Sequence, residues 1–389
     1  MPSYEVRAPT DETEFHAFIH HASDAFLGSF ADSLAWAERA GVPNVRIVHD
    51  GTRVVGGLAL LPTAQYFGEQ AVSSVGIAGV AIGAEYRGRG AATALMQGAL
   101  TEASVSGHAT SMLYASSHTL YRRVGYELAG ERRDLTAKMP NVGAGDRRLS
   151  MREATDDDWP RLEELYRARA KLRNGHLART RFHWYGARHV GTSPCRTSVV
   201  EEGGQPTGYI TYHQRLTGRD LAEMVIRECI ASTPAALQRL LAFISAHACQ
   251  VTDLLFLQAS PDHEAIVAMT EPFLNVKHQE SWLLRLIDVP GALVERGYAD
   301  DISAEVHFAI DDPQLPGNHG RFRMTVEDGE ARVHAGGEGD VQLHVRGLAA
   351  LYSGFATPQS VELIGLGTGL EHLPPSLFAG PAPICADYI

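Results

Sequence analysis

The sequence predicts an α/β chain made of two successive copies of one strand–helix pattern, closed by a smaller α+β domain. Three observations carry this. Residues 76–82 are small or β-branched, and they run through the basic turn Arg87-Gly88-Arg89-Gly90 into helix formers from Ala91 to Leu100. The pattern of residues 4–12 returns at 149–158. Beyond Ile287 the periodicity changes to short alternating runs broken by Asp-Gly and Gly-Gly turns. A chain of 389 residues is also too long for one typical core.

Taken in order, residues 6–12 read as a short strand and a helix cap at Thr10 or Asp11. The following helix places Phe15, Phe18, Ile19 and Ala22 on one face, and a second helical stretch near 31–40 holds Leu34 and Trp36. Residues 45–50 and 54–61 alternate about Asp50-Gly51 as a hairpin. Residues 70–82 supply the central strand and 111–115 another buried one. Residues 116–126 form a short helix ending at Gly125. Residues 127–137 are expected to close the domain as a strand.

The break Asn141-Val142-Gly143-Ala144-Gly145-Asp146 sets the first boundary and divides domains 1–145 and 146–287. In the second copy the hairpin recurs at Gly203-Gly204, and a strand at 224–229 precedes a helix at 233–247. Its connecting turn, Ile230-Ala231-Ser232-Thr233-Pro234, has neither Gly nor Arg, so no phosphate pocket is expected there. A second boundary at 287–291 opens the domain 288–389. Its strands are expected at 304–310, 320–326, 331–335 and 341–345, with helical segments near 348–355 and 358–363.

The turn at 87–90 carries the chemistry. The first N–H groups of a helix have no intrahelical partner, and the helix dipole adds partial positive charge there. Glycines let the backbone approach an anion, and Arg87 and Arg89 add fork-shaped donors. Neither the P-loop spacing nor G-x-G-x-x-G is present.

Composition narrows the class. The apolar fraction of 44% and charged fraction of 21% are those of a soluble globular protein. No apolar run is long enough to span a bilayer, and the N-terminus lacks the layout of a secretory signal. Four widely spaced cysteines make a zinc site or disulfide framework unexpected, and a reducing cytoplasm is the default. A net charge of −12 argues against a nucleic-acid binder and is compatible with a cationic substrate. Eighteen histidines show no metal-ligand spacing, so no metal is expected.

The segment Arg87-x-x-Gly90-x-Ala92 after a strand resembles the pyrophosphate loop of the GCN5-related N-acetyltransferases (GNAT). The layout after residue 288, with its Asp-Val-x-Leu-x-Val run at 340–345, resembles the sterol carrier protein-like fold. Two tandem GNAT folds, the second degenerate, followed by that domain, resemble the enhanced intracellular survival (Eis) family over essentially the whole chain. The resemblance implies an acetyl-CoA-dependent N-acetyltransferase acting on amines of a cationic small molecule such as an aminoglycoside, assembled as a homohexamer. It implies a pyrophosphate loop at Gly88, Arg89, Gly90, Ala91, Ala92 and Thr93. It places the pantetheine along Val80, Ala81 and Ile82, and near Ser116 and Ser117. The catalytic pair it implies is Tyr121 as general acid and the carboxylate of Ile389 as base, carried by a C-terminal tail that reaches the active site. The family often ends in an aromatic residue where this sequence has isoleucine.

Amide formation from a thioester needs a neutral amine, a polarised carbonyl and a protonated leaving thiolate. A backbone N–H near Ile82 would polarise the carbonyl. A phenol pKa of about 10 lies modestly above a thiol's of about 8.5, so a positioned Tyr121 can act as acid. Tyr126, just past the helix-ending glycine, is expected in the core. An α-carboxyl near 3.5 needs burial or a relaying water to serve as base. Glu85, His118 and Asp24 are the alternatives. For the acceptor, Asp24 and Asp387 would attract a cationic amine, with Phe26 and Trp36 as walls. Two readings stay open beside this one: a transferase for an amino acid, peptide or protein lysine, and a non-catalytic acyl-CoA or ligand binder.

Overall fold

The computed structural model describes residues 4–218 and 221–389. The chain forms two compact units. One holds the residues up to 130 together with 281–383 and 389; the other holds 131–280 and 384–388.

The chain begins with β1 (Glu5–Arg7), α1 (Glu12–Phe26), α2 (Phe30–Ala40), β2 (Val45–His49), β3 (Val54–Phe67) and β4 (Gln70–Ile82). It continues through α3 (Ala91–Val105), β5 (Thr110–Tyr114), α4 (His118–Arg123) and β6 (Glu127–Lys138). Asp11, not Thr10, caps α1, its Oδ1 accepting from the Glu14 N–H at 2.9 Å. Phe15, Phe18, Ile19 and Ala22 are buried as their spacing requires. Leu95, Met96, Ala99 and Leu100 of α3 join Leu58, Ile77 and Leu113 of the sheet in one core cluster.

The second unit takes in β7 (Ser150–Glu153), α5 (Trp159–Lys171), β8 (Leu177–Ala178), α6 (Arg181–Arg188), β9 (His189–Val190) and β10 (Ser193–Pro194). β11 (Arg196–Glu202), β12 (Gln205–Leu216), β13 (Ala222–Ala231), α7 (Pro234–Ser245), β14 (Val251–Ala259) and α8 (Glu264–Val267) follow, and β15 (Asn275–Leu286) starts in this unit and ends in the first. Its strands lie in the order β6-β14-β13-β12-β11-β7, with β13 parallel to β14. In the first unit the order is β1-β2-β3-β4-β5-β15, with β4 parallel to β5. The strand expected to close the first domain therefore divides. Its end, Arg133 to Lys138, pairs with β14, and the place beside β5 is taken by Trp282 to Leu286 of β15. Arg133 to Lys138 alternates and Trp282 to Leu286 is buried throughout, yet both can form a ladder, and backbone hydrogen bonding does not distinguish between partners.

The remainder of the first unit contains α9 (Val289–Glu295), β16 (Ala304–Asp311), β17 (Gly320–Glu327), β18 (Glu330–Ala335), β19 (Val341–His344), α10 (Val345–Tyr352), α11 (Pro358–Leu363) and β20 (Gly367–Thr368). These strands form a separate sheet in the order β18-β17-β16-β19-β20. Within this unit Arg285 and Asp312 form an ion pair with neither side chain exposed, both carboxylate oxygens 2.7 Å from Nη2. Glu127 accepts from both Arg122 and Arg346. Among the described residues no helix is long and apolar enough to cross a membrane.

Candidate active site

The site grows from the middle of β4. The parallel ladder with β5 runs over Ser74–Gly76 and Thr110–Met112 and ends there, while pairing with β3 continues to Ile82. Val80, Ala81 and Ile82 thus lie on a stretch whose β5 side carries no ladder. A bulge accompanies the split, since Gly57 opposes Ala81 while Ala59 opposes Ala78. Gly79 sits at this bulge with φ +62°, and a Cβ there would lie 2.5 Å from Trp36. Trp36 is therefore a packed, half-buried side chain over the bulge.

The cradle lies at the end of the same strand. Gly88 and Gly90 have φ +74° and +92°, and a Cβ on either would meet nothing within 4 Å. Gly90 occupies the N-cap of α3 with no side-chain cap, and the first intrahelical bond is Ala94 N–H to Gly90 O at 3.0 Å. The N–H groups of Ala91, Ala92 and Thr93 are left without intrahelical acceptors beside open space. Arg87 Nε donates to Ile82 O at 3.2 Å, and the Tyr4 hydroxyl to Arg89 O at 3.3 Å. Among the described residues no carboxylate pairs with Arg87 or Arg89. Ser116 and Ser117 are exposed at the start of α4.

The corresponding turn in the second unit is closed. Thr233 caps α7, its Oγ1 accepting from Ala236 N–H at 3.1 Å, and Pro234 brings no N–H to the first turn.

Tyr121 and Ile389 pack on the same core cluster of the first unit. The Ile389 side chain lies on Gly76, where a Cβ would come within 3.2 Å of it. Gly76 is also where the β4–β5 ladder ends. Tyr121 is 4% exposed, and its hydroxyl has no hydrogen-bond partner among the described residues. Burial pushes the phenol up to about 12. The acid is thus weaker than the free phenol the sequence reading assumed. Tyr126 packs edge-on at 6.1 Å with its hydroxyl 2.7 Å from Ser111 Oγ, a satisfied core residue as expected.

The residues expected around the acceptor have the following surroundings. Asp24 is exposed, and Phe26 is 60% exposed at the end of α1. Asp387 belongs to the second unit, is buried, and accepts from Arg179 Nε at 2.7 Å and the Tyr166 hydroxyl at 3.2 Å. Glu85 and His118 are both exposed. Sequence reasoning missed Gly76, Gly79 and Arg179. Glycines inside a strand were a readable signal of close approach, whereas nothing local marked Arg179. One group of described residues, His307, Glu338 and Asp340, brings ligand-type atoms within 4.8 Å of one another. Both ring nitrogens of His307 are engaged, by Glu338 N–H and by Glu305, each at 3.0 Å.

Comparison with known proteins bears on this geometry. The acetyltransferase (GNAT) domain matches residues 5–129, a second acetyltransferase (GNAT) domain matches 175–286, and a sterol carrier protein domain matches 289–386. A GCN5-related N-acetyltransferase from Anabaena variabilis has the same fold with a TM-score of 0.93 and 31% identity, covering 100% of both chains. One from Kribbella flavida superposes with a TM-score of 0.87 at 27% identity, over 100% of this chain and 98% of that one. An uncharacterized N-acetyltransferase of Streptomyces avermitilis is 29% identical over 77% of this chain and 75% of its own length. The N-acetyltransferase Eis of Mycobacterium tuberculosis is 24% identical over 79% and 78%. Two acetyltransferase models and a sterol carrier model together span most of the chain, and the chain belongs to the GCN5-related N-acetyltransferases, among the Eis-like enzymes that join two acetyltransferase folds to a sterol carrier-like domain.

Proposed function

We propose that the first fold carries the activity, moving an acetyl group from acetyl-CoA to a primary amine of a cationic small molecule, with aminoglycosides as the class to test first. The observation that carries the reading is the uncapped start of α3, with Gly88 and Gly90 in left-handed conformations beside open space. The diphosphate rests on the N–H groups from Gly88 to Thr93, with Arg89 adding charge. The pantetheine amides pair with the β4 stretch Val80, Ala81 and Ile82, and Ser116 and Ser117 face its other side. The amine nitrogen attacks the thioester carbon, whose oxygen takes up charge against backbone N–H. The C–S bond then breaks with its electron pair going to sulfur, which accepts a hydrogen bond from Tyr121 as charge develops and takes its proton from water. The carboxylate of Ile389, whose side chain lies on Gly76, receives the amine proton directly or through water.

With Tyr121 at about 12 and a thiol near 8.5, complete transfer of the phenolic proton to a free thiolate is uphill by more than three units, about 5 kcal/mol. Tyr121 therefore acts mainly by donating a hydrogen bond as charge develops on sulfur. The acidic balance of the chain, −12, favours a cationic acceptor. A hexamer in the cytoplasm belongs to the same reading and is checked by light scattering and fractionation. Thiol release from acetyl-CoA, measured with aminoglycosides, amino acids, peptides and simple diamines, tests the acceptor class. Turnover confined to amino acids or peptides overturns the cationic small molecule, and tight coenzyme binding with no turnover on any amine overturns the enzyme reading.

A further inference from the structure

The second unit has lost its cradle but kept the split in its sheet: the parallel β13–β14 ladder ends at Ile226 and Phe256. In open α/β sheets, ligands sit beyond the carboxyl ends of parallel strands, where neighbours part. Here the next residues, Arg227, Leu257 and Gln258, border a cavity of about 290 Å³ together with His183, Gly186 and Asp134. That volume is at the low end for small-molecule sites, about 300–1,000 Å³. Gln258 is held in the left-handed region at φ +53°, backbone strain of a kind that gathers at ligand sites.

The polar groups on this cavity divide into those already satisfied and those that are not. Thr180 N–H donates to His183 Nδ1 at 3.2 Å, so the neutral ring carries its proton on Nε2. Burial holds this ring below its ordinary pKa, with Arg179 adding to the effect and Asp387 opposing it, so the neutral form prevails at physiological pH. His183 is 2% exposed, and its Nε2 has no partner among the described residues. A buried donor in that state is costly and calls for an acceptor. Arg227 donates from Nε to Ala187 O at 3.2 Å and from Nη2 to Gly186 O at 2.6 Å. Among the described residues no carboxylate pairs with it. Asp387, on the same cavity, is occupied by Arg179 at 2.7 Å and by the Tyr166 hydroxyl at 3.2 Å. The unmet need is therefore for a negatively charged acceptor. Asp134 accepts from Gln258 N–H with one oxygen at 3.0 Å. Its charge opposes a multiply charged anion and suits an ammonium group. We propose that this cavity binds a small monocarboxylate, free or as part of an amino acid, whose oxygens accept from His183 Nε2–H and from Arg227. The site does not depend on the acetyl-transfer reading.

The test is titration calorimetry on the full chain with propionate, L-alanine and ethylamine, which share a two-carbon stem and differ in charge. The expected result is saturable binding of propionate and L-alanine and none of ethylamine. Tighter binding of L-alanine supports the amino-acid form, with Asp134 on the ammonium group; equal affinities support the free carboxylate. Two variants locate the site. Arg227→Met should weaken both ligands by at least about tenfold, the loss of one charge-assisted bond. Gly186 lies one turn beyond His183 on α6, and a Cβ there meets nothing within 4 Å. Gly186→Leu therefore fills space beside His183 and should abolish binding, while a better helix former keeps the melting temperature at or above that of the wild type. Melting temperature and acetyl-CoA affinity are measured for each variant as controls on folding. No saturable heat from either carboxylate with the wild type overturns the site. Affinities unchanged in both variants overturn it, because the ligand then binds elsewhere. Ethylamine binding as tightly as propionate overturns it in favour of a cation site.

Discussion

Tyr121→Phe removes one hydroxyl from a side chain whose ring is buried and whose oxygen has no hydrogen-bond partner among the described residues. Nothing in the fold is left unsatisfied, so the change in stability is expected to be within about 0.5 kcal/mol. The effect on catalysis is expected to be much larger. A positioned general acid contributes about 10²–10⁴-fold, or about 3–5 kcal/mol of barrier. Because burial holds this phenol at about 12, its proton is shared rather than surrendered, which places the expected loss toward the lower end, about 10²-fold in kcat. The assay is thiol release at saturating acetyl-CoA on one good amine, run from about pH 7 to pH 10. Over that range the phenol stays protonated, so the wild type should show no basic limb from this group, and the profiles of wild type and Phe variant should run parallel. A variant within about threefold of wild type would remove Tyr121 from the mechanism. A basic limb near pH 8–9 that disappears in the variant would show that burial does not raise this phenol, refuting the electrostatic reasoning.

Other perturbations follow from the same geometry. Gly90→Val forces a β-branched residue into a left-handed conformation, at about 1–2 kcal/mol. It should also weaken acetyl-CoA binding by at least about tenfold, measured by calorimetry; unchanged affinity would move the diphosphate elsewhere. Asp312→Asn breaks the buried pair with Arg285 and should lower stability by about 3–5 kcal/mol in urea unfolding, and a loss under about 1 kcal/mol would mean the charge is already solvated. Buried tyrosines, Tyr121, Tyr126 and Tyr298 among them, are all raised by burial. The unfolded chain ionises near pH 10 while the folded one does not, so stability should hold up to about pH 9 and fall steadily above about pH 10. A flat urea midpoint to about pH 11 would contradict this.

The sequence by itself determined whatever is written in consecutive residues. The strand, the turn Arg87-Gly88-Arg89-Gly90 and the start of α3 are contiguous, and a helix end offers its N–H groups whatever surrounds it. The repeat was legible because the same hydrophobic period recurs, and its degeneracy because Thr233-Pro234 stands where Gly and Arg would be. Capping of that helix by Thr233 then follows from local geometry. Tertiary structure decided the pairings. Which strand lies beside β5, Ile389 against Gly76, and Asp387 on Arg179 are contacts between distant residues, the last separated by 208 positions. Backbone hydrogen bonds accept any partner with the right alternation, and a carboxylate in the sequence does not show whether it will face a substrate or a buried guanidinium. Only the packed core, which leaves room for one arrangement, settles these choices.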